Sequence, residues 1–216
     1  MRSSLASLPL VALAGILATC SIALGGEPVN ILSGGHRLQG TVCLPGGQGP
    51  FPAVVYHHGG VGHRIGGAPE DTCRALVKKG FVGLAVIRRP TRPLMGHLDD
   101  ANAAVDYVKQ LPSVDPQRIG VIGFSRGGLL SWQQATSRHD LAAVVIMAVA
   151  VHPDLNLDDA SRIKAPVLVL VAENDTGSKY TRNRDTAEFT RRLVSALRQA
   201  GRNVQSVVYP PFQPEG

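Results

Sequence analysis

The sequence predicts an α/β fold in which a mostly parallel, eight-stranded sheet is covered by helices on both faces. Short runs rich in Val, Ile, Leu and Ala alternate with longer segments whose apolar residues recur at helical spacing. The middle runs are apolar almost throughout, as parallel strands buried on both sides are. No internal repeat or low-complexity linker interrupts the pattern. A chain of 216 residues with 44% hydrophobic content is long enough for one cored domain and short for two.

The first two runs, Val29 to Ser33 and Arg37 to Leu44, are separated by Gly34 and Gly35 with no helix between them. They are expected to pair as an antiparallel hairpin at the sheet edge. Further strands are expected at Ala53 to His57, Val82 to Ile87, Ile119 to Phe124, Ala143 to Val149, Val167 to Ala172 and Gln205 to Tyr209. Helices are expected over Pro69 to Lys79, Leu98 to Leu111, Ser125 to Ser137 and Asp185 to Ala200. In the second, Ala101, Ala104, Val105, Val108 and Leu111 form one apolar stripe opposite Asp106, Lys109 and Gln110. Gly80 and Gly201 stand where helix C-caps belong.

Arg2, the apolar run from Leu5 to Ala18 and the small residues from Ser21 to Gly26 have the layout of a secretory signal. Residues 1–25 are therefore read as a signal peptide and 26–216 as the domain, exported to a periplasmic or extracellular compartment. Cys20 offers a lipid-anchoring alternative, disfavoured by Thr19 before it, and the apolar run is too short for a stable membrane span. An oxidising compartment permits a disulfide between Cys43 and Cys73. Two buried thiols are the simpler expectation.

The net charge of +6 comes mainly from arginines, and aromatic residues make up only 5% without interleaving among them. That composition argues against nucleic-acid binding, which needs stacking surfaces beside its cations. It suits solubility, a nearby acidic surface or an anionic substrate. Arg88, Arg89 and Arg92 follow the fourth strand. Solvated loop charges are the simpler reading there, with steering of a carboxylate-bearing substrate as the alternative.

The chemistry concentrates where an apolar strand, Ile119 to Phe124, runs into Gly123-Phe124-Ser125-Arg126-Gly127-Gly128 and then into a helix. Glycines permit so sharp a turn, which would hold the Ser125 hydroxyl clear of the backbone at a helix N-terminus. The alternative is that Ser125 is only an N-cap. After the third strand, Tyr56-His57-His58-Gly59-Gly60-Val61-Gly62 makes a second turn at the same sheet edge. Backbone N–H groups of Gly60 and Arg126 are the candidate oxyanion hole. The Lys and Ser/Thr of a phosphate-binding loop are absent from this turn. His57 and His58, adjacent on a strand, point to opposite faces and do not share a metal. The strand Val167 to Ala172 opens into Glu173, Asn174 and Asp175. Asp175, two residues further into the loop than Glu173, is the candidate carboxylate that orients a histidine.

These segments resemble the α/β-hydrolase superfamily, and within it the dienelactone-hydrolase-like and prolyl-oligopeptidase-like serine hydrolases, from about Val29 to the last residue. The resemblance implies an α/β-hydrolase fold, a nucleophile, acid and histidine in that order, an acyl-enzyme intermediate and no cofactor. It implies a histidine after the last strand, one or two positions beyond Gly216, and a C-terminal helix that these residues lack. Its absence would leave an apolar patch exposed. His152 is the best internal substitute, though out of the family's order. Dienelactone hydrolases proper carry cysteine where this chain has Ser125, so the family name does not dictate the substrate. No insertion between Val149 and Ala165 is long enough for a large lid.

The expected function is hydrolysis of carboxylic esters of small, and in one reading anionic, substrates. Peptide or acyl-amide cleavage of the prolyl-oligopeptidase type is the alternative within the class. A non-catalytic binding module that has lost its histidine is the alternative outside it.

Overall fold

The computed structural model describes residues 26–60, 65–91, 94–178 and 181–211. The expected signal peptide over residues 1–25, with Cys20, lies outside the described residues, as do His63, Arg92 and residues 212–216.

Eight strands form one sheet: β1 (Glu27–Ser33), β2 (His36–Cys43), β3 (Phe51–His57), β4 (Val82–Ile87), β5 (Val114–Phe124), β6 (Ala143–Met147), β7 (Val167–Ala172) and β8 (Val204–Tyr209). Their order is β1-β2-β4-β3-β5-β6-β7-β8. The β1–β2 hairpin is antiparallel, as its Gly34-Gly35 turn predicts, and β2 is antiparallel to β4. All remaining pairs are parallel. The helices are α1 (Pro69–Val77), α2 (His97–Lys109), α3 (Arg126–Ser137) and α4 (Thr186–Gln199). Gly80 and Gly201 take φ of +80° and +67° just past α1 and α4, the left-handed conformation that a C-cap glycine supplies.

The chain steps from β3 to β4 in one direction and from β4 across to β5 in the other. Right-handed crossovers in opposite directions place α1 on one face of the sheet and α2 and α3 on the other. Contacts run in series from α2 to α3, to a 3₁₀ turn at Leu157–Arg162, and on to α4. The reversal also parts the connections leaving β3 and β5. Such a switch point opens a crevice at the carboxyl ends of the strands.

Several strand bounds differ from the sequence reading by one or two residues, and that of β5 by five. β5 starts at Val114, five residues before the apolar run, because the Phe51 N–H donates to Ser113 O and β3 and β5 pair again after a register shift. Pro116, Gln117 and Arg118 disguise that extension. β6 ends at Met147 rather than Val149, where Ala148 turns to a φ of +42°.

β3 and β4 are buried almost throughout, whereas β6 and β7 alternate between buried and partly exposed residues. The reason is coverage: α1 contacts β2, β3 and β4, while among the described residues β6 to β8 carry helices on a single face. β8 is exposed along most of its length, with Val207, Val208 and Tyr209 at 42 to 51%.

Cys43, at the end of β2, and Cys73, in α1, form a disulfide, with Cα atoms 5.7 Å apart. This corrects the expectation of two separate thiols. A sequence separation of 30 residues carries no sign of the pairing, which follows from β2 lying beside β4 directly under α1.

Candidate active site

In the β3–β5 register His57 lies opposite Gly123, so the turns leaving the two strands emerge side by side. A Cβ on Gly127 would stand 1.8 Å from the His57 carbonyl oxygen, and one on Gly123 would stand 2.1 Å from that of Gly127. Glycine is therefore a steric requirement at both positions. The close approach brings α3 tightly against the end of β3.

Ser125 occupies the turn with φ 53° and ψ −112°, a conformation L-residues rarely adopt. Its backbone is held on three sides. Its N–H donates to Met147 O at 2.9 Å, and its carbonyl accepts from Leu129 N–H at 3.2 Å and Ala150 N–H at 3.0 Å. The side chain makes no capping hydrogen bond to α3, which separates this serine from an ordinary N-cap. Arg126 follows as the first residue of α3, where a helix N–H has no intrahelical partner.

The second turn lies against the first: a Cβ on Gly59 would come within 2.8 Å of the Phe124 ring and 3.2 Å of Ser125 Cβ. Gly59 and Gly66 exchange N–H···O bonds of 2.8 and 3.0 Å, and Gly60 adopts a φ of +85°. Neither Gly60 N–H nor Arg126 N–H has an acceptor among the described residues. Two unpaired donors thus flank a strained serine at the switch point of the sheet.

Beneath this turn is a buried polar layer. His57 Nε2 pairs with Gln134 Oε1 at 2.6 Å, and Gln134 Nε2 donates to Asn102 Oδ1. Burial lowers His57 to about 3, with the Gln134 hydrogen bond opposing, and lowers His58 to about 4, with the charge of Arg88 adding to the effect. Both are neutral at physiological pH.

Arg88 is 5% exposed, with its Nη1 donating to His58 O at 2.7 Å. Arg89 donates from its backbone N–H and Nε to Asp100, each at 2.9 Å, and from Nη2 to Ser33 Oγ. Neither is a solvated loop charge, and neither side chain is free to steer a ligand. The sequence missed this because two consecutive arginines after a strand read as surface, while α2 carries Asp100 beneath them as a fully buried partner.

Asp175 lies in the loop after β7, partly buried, its carbonyl accepting from Ala187 N–H at the start of α4. Burial pushes its carboxyl above the ordinary range, a hydrogen bond from Thr186 opposes, and the charge of Asp185 adds to the rise. Glu173 is exposed, its backbone N–H continuing the ladder to Tyr209. His152 Nδ1 accepts from the Asp154 N–H at 3.2 Å. No described histidine hydrogen-bonds to Ser125 or Asp175, so the substitution of His152 for the family's histidine has no support in the hydrogen bonding. Arg184, at the rim, donates to Val151 O.

Residues 90–212 match the model of the dienelactone hydrolase family. This chain belongs to that family. A Methylorubrum extorquens protein described as "Putative carboxymethylenebutenolidase" is 30% identical over 78% of the chain and 64% of its own length. Human acyl-coenzyme A thioesterase 1 is 30% identical over 68% of the chain and 34% of its own length. The chain thus spans less than two thirds of either relative. Among solved structures, an acylaminoacyl peptidase of Pyrococcus horikoshii superposes with a TM-score of 0.70 at 17% identity, over 87% of this chain and 37% of that one. An esterase of Pyrobaculum calidifontis superposes with 0.68 at 21% identity, over 87% and 76%. These likenesses establish the α/β-hydrolase fold.

Proposed function

We propose that the chain is a serine hydrolase of small carboxylic esters, with Ser125 as the nucleophile. The observation that carries the reading is the strained, uncapped Ser125 between the N–H groups of Gly60 and Arg126, which have no acceptor among the described residues. In this reading Ser125 Oγ bonds to the acyl carbon and passes its proton to a general base. The carbonyl π pair moves onto oxygen, where the two N–H groups receive it. Collapse expels the alkoxide, which takes the proton, and water then repeats the sequence on the acyl-enzyme. Asp175 orients the base and stabilises its charged form. No described histidine fills the base role, which this reading assigns to a group outside the described residues. Among the described residues no helix is long and apolar enough to cross a membrane.

The family's relatives include proteins named as thioesterases, so the acyl donor is to be tested. A fluorophosphonate that labels the intact chain but not Ser125→Ala supports the nucleophile. A panel of matched oxygen esters, thioesters and anilides then separates esterase from thioesterase and amidase. A folded chain that neither labels nor turns over any donor would end the reading for the chain as it stands, leaving a chain without its base or a binding module.

A further inference from the structure

We propose that His58 and Arg88 are positioning residues that fix the direction of the Gly60 N–H. This rests on the reading of Gly60 as an oxyanion donor. A peptide unit is planar and trans, so its N–H points opposite to its C=O. Whatever holds the Gly59 carbonyl therefore aims the Gly60 N–H. Two donors hold it, the His58 side chain at Nδ1, 2.6 Å away, and the Gly66 N–H at 3.0 Å.

The His58 contact works only if the proton sits on Nδ1. Arg88 secures that tautomer, because its backbone N–H donates to His58 Nε2 at 3.3 Å, leaving that nitrogen as the acceptor. The same arginine holds the preceding peptide, where its Nη1 donates to the His58 carbonyl at 2.7 Å. Both peptides leading to Gly60 are thus fixed by one buried pair of side chains. A carbonyl that accepts two hydrogen bonds is also more polarised, which makes the N–H of its own peptide a stronger donor.

Arg88 is placed for this role rather than for charge pairing. Asp100, the carboxylate whose charge acts on it, is committed to Arg89, and among the described residues the Arg88 Nε is buried with no acceptor. His97 Nε2 donates to Arg89 O at 2.8 Å, leaving Nδ1 as a second buried atom without a partner.

The first measurement is the tautomer of His58 in the intact wild-type chain, from long-range 15N–1H correlation. The expected result is a protonated Nδ1 and an unprotonated Nε2. A proton on Nε2 would overturn the proposal whatever Ser125 does. The second is a pair of variants, His58→Leu, which removes the donor, and His58→Asn, whose amide nitrogen stands near the position of Nδ1. For His58→Leu, kcat on a p-nitrophenyl ester is expected to fall on the order of 10- to 100-fold with KM little changed. That is less than the 10²- to 10³-fold cost of deleting an oxyanion donor outright. Affinity for a trifluoromethyl ketone, which forms the oxyanion, should fall in parallel, and His58→Asn should recover most of both. Equal losses in the two variants, or a loss confined to KM, would show packing alone and overturn the proposal. Should Ser125 fail to label, the hydrolase reading falls, while the tautomer still decides the geometry inferred here.

Discussion

The two ends of the candidate site are built differently. On the β3–β5 side, His57, His58 and Arg88 are each 5% exposed or less and hydrogen-bonded beneath the Gly59-Gly60 turn. On the β6–β8 side, Asp175 and His152 are partly exposed, and the sheet beneath them is covered on one face. The strands of the first end carry α1, which the Cys43–Cys73 bond ties to β2 near the opposite end of β4; among the described residues the strands of the second end have neither. The difference teaches that donors for a developing negative charge must be rigid before substrate arrives, since they act without reorganising. A carboxylate that orients a base can sit in a loop, provided a few contacts such as Thr186 aim it.

The largest effect that would sharpen this contrast is in Asp175→Asn. Its kcat on an ester should fall on the order of 10³- to 10⁴-fold, as expected for an orienting carboxylate, with thermal stability little changed. A large loss of stability with activity retained would make Asp175 structural.

Core truncation should be just as uneven. Leu84→Ala, in β4 at 0% exposure and on the strand face opposite α1, is expected to cost about 2–5 kcal/mol by denaturant unfolding. Leu170→Ala, on partly exposed β7, should cost about 1 kcal/mol. Equal costs would break the contrast.

Replacing both Cys43 and Cys73 by serine should destabilise the chain by about 2–4 kcal/mol, a range typical of native disulfides. Reductant should lower the melting temperature of the wild type and leave that of the double variant unchanged.

A further difference is read with pH. His57 and His58 stay neutral in the folded state down to about 3 and 4, while the unfolded chain takes up their protons from about 6.5. The unfolded state thus binds more protons in that interval, so this contribution is complete above about pH 6.5 and declines on acidification. Each histidine should contribute a slope of about 1.4 kcal/mol per pH unit between about 6.5 and 4. His57→Gln should remove about half of it; an unaltered slope would place the acid sensitivity elsewhere.

Periodicity and turn chemistry determined most of the architecture. Apolar runs located every strand, glycines marked the hairpin and two helix ends, and a strand running through Gly123 to Gly128 into a helical pattern located the Ser125 turn. These features are local, fixed by residues a few positions apart. Tertiary structure alone decided what depends on the order of strands. It joined Cys43 to Cys73, buried Arg88 and paired Arg89 with buried Asp100 where the sequence read solvent, and turned the His57-His58 pair into a support for the Gly59-Gly60 turn. Each of those outcomes brings together residues from 11 to 77 positions apart. A side chain's own neighbours in sequence do not record which helix will cover it, so a buried cation and a surface cation look alike until the sheet is assembled.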